Sequence, residues 1–123
     1  MGFDYYFGIP YSQDMGRSFW NPGPMSEPFQ PNPLPLLNGT TVIAQPANLD
    51  TLVQDYVDYA VQFITRQSAT GTPWALYLPW NHVHAPNSCS ARFCGVTRRG
   101  PIGDAVHEMD WAIGQVRGRE TTG

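Results

Sequence analysis

Apolar residues recur at helical spacing in the middle of the chain. Between Asn48 and Gln67 they follow one another at intervals of three and four, which lays them on one face of a helix. The residues on this face are Leu49, Val53, Tyr56, Val57, Ala60, Phe63 and Ile64. Asn48 or Asp50 can cap the first turn, and Gly71 and Pro73 follow the last one. The pattern predicts an amphipathic helix over residues 48–67.

A second helical pattern begins after Gly100-Pro101. Apolar residues there alternate at steps of four and three, at Ile102, Val106, Met109, Ile113 and Val116. We expect this helix to stop where Gly118 enters, because glycine weakens a helix interior. The final residues, 117–123, are polar and show no periodicity, so they are expected to form a tail.

A short apolar run between the two helices predicts a strand. Residues 74–79 follow Pro73 and end at Pro79, and apolar runs of about 4–8 residues fit a buried strand better than a helix. A shorter strand is predicted over residues 40–44, which read Thr-Thr-Val-Ile-Ala. A helix followed by a strand is typical of α/β architecture, which is the fold class we expect.

Prolines and aromatic residues dominate the first part of the chain. Most of the 12 prolines precede residue 47. Each proline removes a backbone donor and biases the residue before it toward an extended conformation. Residues 17–35 are therefore expected to form an exposed Pro-rich loop, and the aromatic-dense residues 2–16 a packed loop with at most a short strand.

Composition argues against several classes of partner. The formal net charge is -3 and no run of basic residues is present, so nucleic acid is not an expected partner. No apolar stretch approaches about 18 residues, so no membrane span is expected. The N-terminus lacks the charged and apolar regions of a signal peptide.

Cys89 and Cys94 lie five residues apart, and a local disulfide and two free thiols fit the spacing equally well.

Two histidines follow the predicted strand at residues 74–79. In open α/β sheets, ligands bind beyond the carboxyl ends of strands, and His82 and His84 share one side of an extended segment because side chains alternate. Three interpretations are open. The pair could bind a metal with at least one further ligand, one histidine could be a hydrogen-bonded core residue, or one could exchange a proton with an anionic substrate.

Two carboxylates lie four residues apart on the second predicted helix. Asp104 and Glu108 would share one helix face, which suggests a pair for acid and base chemistry. A favourable contact between Asp104 and the helix dipole is the simpler interpretation.

An ordered series of motifs then points to a family. The series reads Gly2-Phe3-Asp4-Tyr5-Tyr6-Phe7-Gly8-Ile9-Pro10-Tyr11-Ser12 followed by Asp14, then Pro35-Leu36-Leu37, Gln45-Pro46 and His82-Val83-His84, then Arg99-Gly100-Pro101-Ile102-Gly103-Asp104-Ala105-Val106 and Glu108-Met109-Asp110-Trp111-Ala112-Ile113-Gly114. It resembles the sulfatases, and among them the arylsulfatase A and G branch. The resemblance covers roughly residues 2–116, and the order of the blocks is more specific than any single block.

The resemblance implies a partial alkaline-phosphatase-like α/β sandwich and hydrolysis of sulfate esters. In the family, a cysteine in a Cys-x-Pro-x-Arg motif is oxidised to formylglycine, whose hydrate attacks sulfur beside a calcium ion. By position, His84 matches the histidine that contacts the sulfate and can protonate the departing oxygen, and Ser12 matches a serine in the same pocket. Asn38 falls near a family glycosylation site and begins the sequon Asn38-Gly39-Thr40. His82 has no firm catalytic counterpart.

The chain also departs from the family pattern. Neither Cys89 nor Cys94 lies in Cys-x-Pro-x-Arg, and the sequence contains no lysine that could hold a sulfate. The metal-binding aspartates expected upstream and the Asp-Asn-Gly-type block expected downstream are missing as well. Residues 1–123 are therefore expected to be an internal fragment of one sulfatase catalytic domain, which supplies part of the sulfate pocket, binds no calcium and is inactive alone.

The alternative is a truncated, non-catalytic sulfatase-like protein that binds a sulfated ligand or a partner. For the intact family enzyme, the expected substrate is a sulfated small molecule or glycan, and the expected location is lysosomal or secreted. A fragment of this kind would leave strand edges and apolar helix faces uncovered, so poor solubility is expected.

Overall fold

The computed structural model describes residues 2–13, 34–85 and 87–120. In chain order the elements are β1 (Phe7–Gly8), β2 (Leu36–Asn38), β3 (Thr41–Ala44), α1 (Leu52–Ser68) and α2 (Gly100–Glu120). The chain forms two units. The sheet unit comprises Met1–Asn48 with His84–Pro86, and the helical unit comprises Leu49–Val83 with Asn87–Gly123. The mixed α and β content agrees with the predicted class at this coarse level.

The sheet unit is built on three short antiparallel strands in the order β1-β2-β3. Gly39 and Thr40 connect β2 to β3, and Gly39 has a φ of 61°, a conformation that glycine adopts without steric cost. The backbone N–H of Gly39 donates to the Tyr6 carbonyl at 2.7 Å. The strand predicted over 40–44 is confirmed, and β1 agrees with the expectation of at most a short strand among residues 2–16.

Only the end of the predicted Pro-rich loop lies within the described residues. Residues 17–33 fall outside them, whereas Leu34 and Pro35 are buried. The expected exposed loop is therefore wrong for these last two positions. They lead directly into β2, and the Leu34 carbonyl accepts a hydrogen bond from the Ala47 N–H at 2.6 Å.

The first helix of the helical unit, α1, buries the face that the sequence predicts. Its buried residues are Leu52, Val53, Tyr56, Val57, Ala60, Phe63 and Ile64. The helix starts later than expected, because Thr51 occupies the N-cap position in place of Asn48 or Asp50. The Thr51 hydroxyl donates to the Asp55 carboxylate at 3.2 Å.

The second helix, α2, leaves most of its predicted apolar stripe exposed, and only Val116 of that stripe is buried. Ile102, Val106 and Ile113 are 51%, 45% and 36% exposed. The buried residues are Asp104, Ala105, Glu108, Ala112 and Val116. The helix also passes through Gly118 to Glu120, so the predicted stop is wrong. Residues 121–123 of the predicted tail lie outside the described part of the chain.

Residues 74–80 are extended but do not form the predicted strand. Trp74, Leu76 and Leu78 pack against a core cluster made by Ala60, Phe63, Ile64 and Val116. The residues between them face outward, and Tyr77 is 72% exposed. This alternation is that of a strand, but a strand also needs a hydrogen-bonded neighbour. Within the described ranges, the only paired strands are β1, β2 and β3.

Candidate functional site

His84 belongs to the sheet unit and is exposed. Its Nδ1 lies 2.6 Å from the Ala85 carbonyl oxygen. Because a carbonyl can only accept a hydrogen bond, Nδ1 carries the proton in this contact and the neutral ring keeps an unprotonated Nε2. The contact of Nδ1 leaves Nε2 as the other ring position of this exposed side chain, and the role of His84 in a sulfate pocket stays a prediction.

Ser12 is also exposed, and its neighbour Gln13 links it to His84. The Gln13 amide nitrogen donates to the His84 carbonyl at 3.3 Å, across 71 residues of sequence, and Gln13 itself is 3% exposed. The structure thus brings together the two segments that carry the predicted pocket residues. Sequence reasoning missed Gln13, although its place directly after Ser12 in the motif was a usable signal.

His82 has a different environment from His84. It is 2% exposed, and its Nε2 lies 2.9 Å from Oε2 of Glu108 in the helical unit. Burial lowers the pKa of His82, while the nearby Glu108 carboxylate acts in the opposite direction. The expectation that both histidines share one side of an extended segment is wrong, since His82 is buried and His84 is exposed, and the core interpretation holds for His82.

The two carboxylates of α2 hold the loop that precedes the helix. Glu108 Oε2 accepts the Ser90 N–H at 3.0 Å. Asp104 accepts the Thr97 N–H at 2.8 Å and the Gly95 N–H at 2.7 Å. These backbone donors, Thr97 first and then Gly95, lower the pKa of Asp104. Both carboxylates therefore stabilise the structure, as the simpler interpretation expected. Their partners are backbone N–H groups of the loop, however, and not the helix dipole.

A disulfide and a group of rings complete this loop. Cys89 and Cys94 are bonded, with their Cα atoms 5.4 Å apart, which decides between the two alternatives open for them. Phe93 is buried and packs against Trp111, with ring centroids 5.3 Å apart. The Arg92 guanidinium lies 5.0 Å from the centroids of both rings. The loop is thereby anchored on α2 at several points.

Gly103 permits a close approach between this loop and α2. A Cβ at position 103 would collide with the side chain of Arg99 and the hydroxyl of Thr97. Any larger residue would force the start of α2 away from the loop.

The described residues do not fit the calcium ion that the family resemblance implies. They contain no group of three or more His, Cys, Asp or Glu side chains that could hold a metal. Asp104 and Glu108 are already occupied by backbone and imidazole donors. The same observation argues against a metal held by His82 and His84 with a third ligand from this part of the chain.

Asn38 is the last residue of β2 and is exposed beside the turn at Gly39. Its position is compatible with modification of the side chain, and glycosylation stays a prediction.

Comparison with known proteins places these residues in a family. The family model described as Sulfatase matches residues 1–118. The chain belongs to the sulfatase family. Arylsulfatase G from Canis lupus familiaris is 37% identical over 134 aligned positions, which cover 94% of this chain and 25% of that protein. Arylsulfatase A from Bos taurus is 36% identical, with coverage of 92% and 24%. Steryl-sulfatase from Homo sapiens is 40% identical, with coverage of 72% and 15%.

The sulfatase relatives are much longer than the matched region. This chain spans about a quarter of the length of the arylsulfatases. In the ranges that the structure describes, neither helix combines the length and hydropathy needed to cross a membrane.

Proposed function

We propose that this chain is part of the catalytic domain of an arylsulfatase-type sulfuric ester hydrolase, with an alkaline-phosphatase-like sandwich in the intact enzyme. In this proposal, Ser12 and His84 line the sulfate pocket. The main supporting observation is the environment of His84, whose side chain is exposed. Its Nδ1 contacts the Ala85 carbonyl, and its own backbone carbonyl accepts a hydrogen bond from Gln13. The sulfatase match over residues 1–118 supports the reaction class.

The proposed chemistry of these two residues follows from their donors. The Ser12 hydroxyl donates a hydrogen bond to a sulfate oxygen. When the ring of His84 is protonated, Nε2–H donates to the ester oxygen and transfers its proton as the S–O bond breaks, which makes a better leaving group. In the intact enzyme the calcium ion would supply charge neutralisation.

The chain alone is expected to be inactive. Both cysteines are joined in a disulfide, so neither is available as a formylglycine precursor in this form. Without the nucleophile, the covalent step has no acceptor for the sulfuryl group. Hydrolysis of an aryl sulfate by the purified 123-residue chain, at a rate above a His84→Ala control, would contradict this expectation.

The role of His84 is tested in a polypeptide that carries these residues together with the formylglycine segment. His84→Ala is expected to lower kcat by about 10²–10⁴-fold, the usual contribution of a general acid. The matched control is His107→Ala, which removes another exposed imidazole whose ring packs on Phe93. Equal rates in the two variants would remove His84 from the proposed mechanism.

A second candidate function is binding without turnover. The paired cysteines and the exposed Ser12 and His84 together favour a chain that contacts a sulfated ligand but does not cleave it. Titration with a non-hydrolysed sulfate, followed through the ring resonances of His84, tests this function. Saturable shifts that disappear in Ser12→Ala would support it, and unchanged resonances would contradict it.

We further propose that the intact protein passes through the secretory pathway, toward a lysosomal or secreted location. The exposed sequon at Asn38 and the Cys89–Cys94 disulfide support this proposal, because disulfides persist in oxidising compartments. Expression in a eukaryotic secretory host should give a glycan that endoglycosidase removes and that Asn38→Gln abolishes. An Asn38 that stays unmodified in that host would overturn the assignment.

A further inference from the structure

Gln13 is a buried polar residue that takes no part in the proposed chemistry. It is 3% exposed, and its amide nitrogen lies 3.3 Å from the backbone carbonyl oxygen of His84. The amide nitrogen is the atom that faces this carbonyl, because the amide oxygen can only accept a hydrogen bond and would repel it. Burial of an amide is costly unless partners compensate for the lost water. The bond to His84 gives Gln13 part of that compensation and fixes the direction of its side chain.

Both partners of this bond belong to the sheet unit. Gln13 lies in the segment Met1–Asn48, and His84 lies in the short segment His84–Pro86. His84 and Ala85 are in neither a helix nor a strand, so they have no regular ladder of backbone hydrogen bonds. A contact from another part of the same unit can fix the backbone of such a segment, and the amide of Gln13 supplies one.

The bond from Gln13 affects the His84 ring through a single peptide group. The carbonyl that Gln13 contacts belongs to the planar peptide unit between His84 and Ala85. Nδ1 of the His84 ring lies 2.6 Å from the next carbonyl oxygen, that of Ala85, so this contact spans the same peptide unit. Rotation of the peptide plane would move the Ala85 carbonyl relative to the ring. Gln13 therefore restrains the geometry on which the Nδ1–H form of His84 depends.

Gln13 also directly follows Ser12, the other residue of the proposed pocket. Consecutive Cα atoms are about 3.8 Å apart, so a bond that holds Gln13 to His84 also limits how far Ser12 can move from His84. The two pocket residues have no proximity in sequence that could do this, because 71 residues separate Gln13 from His84.

We propose that Gln13 is a positioning residue for the sulfate pocket. Its amide holds the peptide group between His84 and Ala85, which keeps Nδ1 of the ring on the Ala85 carbonyl and leaves Nε2 for the ligand. The same bond keeps this segment beside Ser12. The inference deepens the proposed function and rests on the roles of Ser12 and His84 in that pocket.

A purely structural role of Gln13 is the alternative. Loss of the amide would then loosen the sheet unit as a whole, and any change at His84 would accompany changes in the strands. The Gly39 N–H donates to the Tyr6 carbonyl at 2.7 Å and reports on the sheet unit independently of His84. A positioning role instead predicts a change at His84 while the Gly39 amide keeps its protection from exchange.

The test uses nitrogen-15 spectroscopy of the His84 ring in the full 123-residue chain, at about pH 8 and thus above the ordinary histidine pKa of about 6.5. In the unaltered chain, we expect mainly the Nδ1–H tautomer. Gln13→Met removes the donor but keeps the length of the side chain, and should shift His84 toward the tautomer mixture of a free histidine. Gln13→Asn keeps the amide on a shorter side chain that cannot reach the carbonyl, and should have the same effect. The matched control is Gln54→Met, which removes an exposed amide that donates to Asp58 on α1 and should leave His84 unchanged.

Three results would overturn the proposal. The first is a His84 tautomer that stays the same in both Gln13 variants. The second is a tautomer shift that occurs only together with loss of protection at the Gly39 amide, which would leave Gln13 a structural role alone. The third needs no variant to fold, and is the absence of nuclear Overhauser effects between the Gln13 side-chain amide protons and residues 84–85 in the unaltered chain.

These readouts need neither sulfate nor turnover. An unresponsive His84 therefore contradicts the positioning role of Gln13 alone. Absence of hydrolysis in the longer polypeptide that carries the formylglycine segment would contradict the proposed function alone.

Discussion

The two helices of the helical unit bury their predicted apolar stripes to very different extents. In α1 the apolar stripe is the buried face, and Ile64 on this face is 2% exposed. In α2 three residues of the predicted apolar stripe, Ile102, Val106 and Ile113, are exposed and only Val116 is buried, while Asp104 and Glu108 are buried on the same helix. The difference has a physical cause. The loop that precedes α2 turns several backbone N–H groups toward the helix, and carboxylates satisfy these donors as no aliphatic side chain can.

The largest expected difference is in the free energy of unfolding, when one isoleucine on each apolar stripe is replaced by alanine. Ile64→Ala in α1 is expected to lower the free energy of unfolding by about 2–5 kcal/mol, because it leaves a cavity in the core. Ile102→Ala in α2 removes the same atoms from a side chain that is 51% exposed, and surface substitutions cost about 0.5 kcal/mol or less. Urea unfolding of both variants measures the difference. Equal losses would mean that the α2 stripe is buried in solution.

A second comparison is between a buried and an exposed carboxylate on α2. Glu108→Ala should lower the free energy of unfolding by about 1–3 kcal/mol, because the N–H donors of Ser90 and His82 lose their acceptor in a buried place. Asp110→Ala on the exposed side of α2 provides the control, with an expected loss of about 0.5 kcal/mol or less. Chemical denaturation of both variants is the measurement. A Glu108 variant as stable as the Asp110 variant would show that α2 does not depend on its buried carboxylate.

The elements that the sequence predicted well are those whose cause is local. The spacing of apolar residues is enough to define α1, because side chains three and four apart share a helix face. The strand-like path of residues 74–79 was predicted from a short apolar run bounded by Pro73 and Pro79. The lack of a hydrogen-bonded strand neighbour for these residues in the described chain was not predictable, because strand pairing depends on a partner segment elsewhere in the sequence.

The site was predictable only in part for the same reason. His84 and Ser12 came from the order of motifs, and the structure links their segments through Gln13. The partners of the two histidines lie far away in sequence, 71 residues for Gln13 with His84 and 26 for Glu108 with His82. Spacing along the chain carries no information about such contacts. The alternation rule placed both histidines on one side, and it fails where the chain bends beyond the extended segment.

Removal of the Cys89–Cys94 disulfide should weaken α2 more than α1. The bond closes a short loop, and loop-closure entropy for about six residues corresponds to about 2 kcal/mol of stability. The double variant Cys89→Ser with Cys94→Ser should therefore show faster amide exchange at Ser90, Gly95 and Thr97 and in the first turns of α2. Amides in the middle of α1 provide the internal control. A uniform change across both helices would mean that they respond as one cooperative body.

The smallest expected effect is a dependence of stability on pH that comes from His82, the histidine in contact with α2. Burial lowers the pKa of folded His82, so the unfolded chain binds more protons below the ordinary histidine value of about 6.5. Stability should be full above that pH and should fall as the pH drops through the lowered value. The melting temperature between pH 7 and pH 5 measures this, with His82→Gln as the variant expected to lose the slope. The same slope in both proteins would assign it to other groups.

The extended segment at residues 74–80 also bears on self-association. Its outward residues include Tyr77, and an alternating segment without a strand neighbour in the described chain is a template on which a second polypeptide can align. Pro73 and Pro79 flank it and cannot donate to a ladder. The two prolines act as gatekeepers, because they confine any intermolecular pairing to the five residues from Trp74 to Leu78.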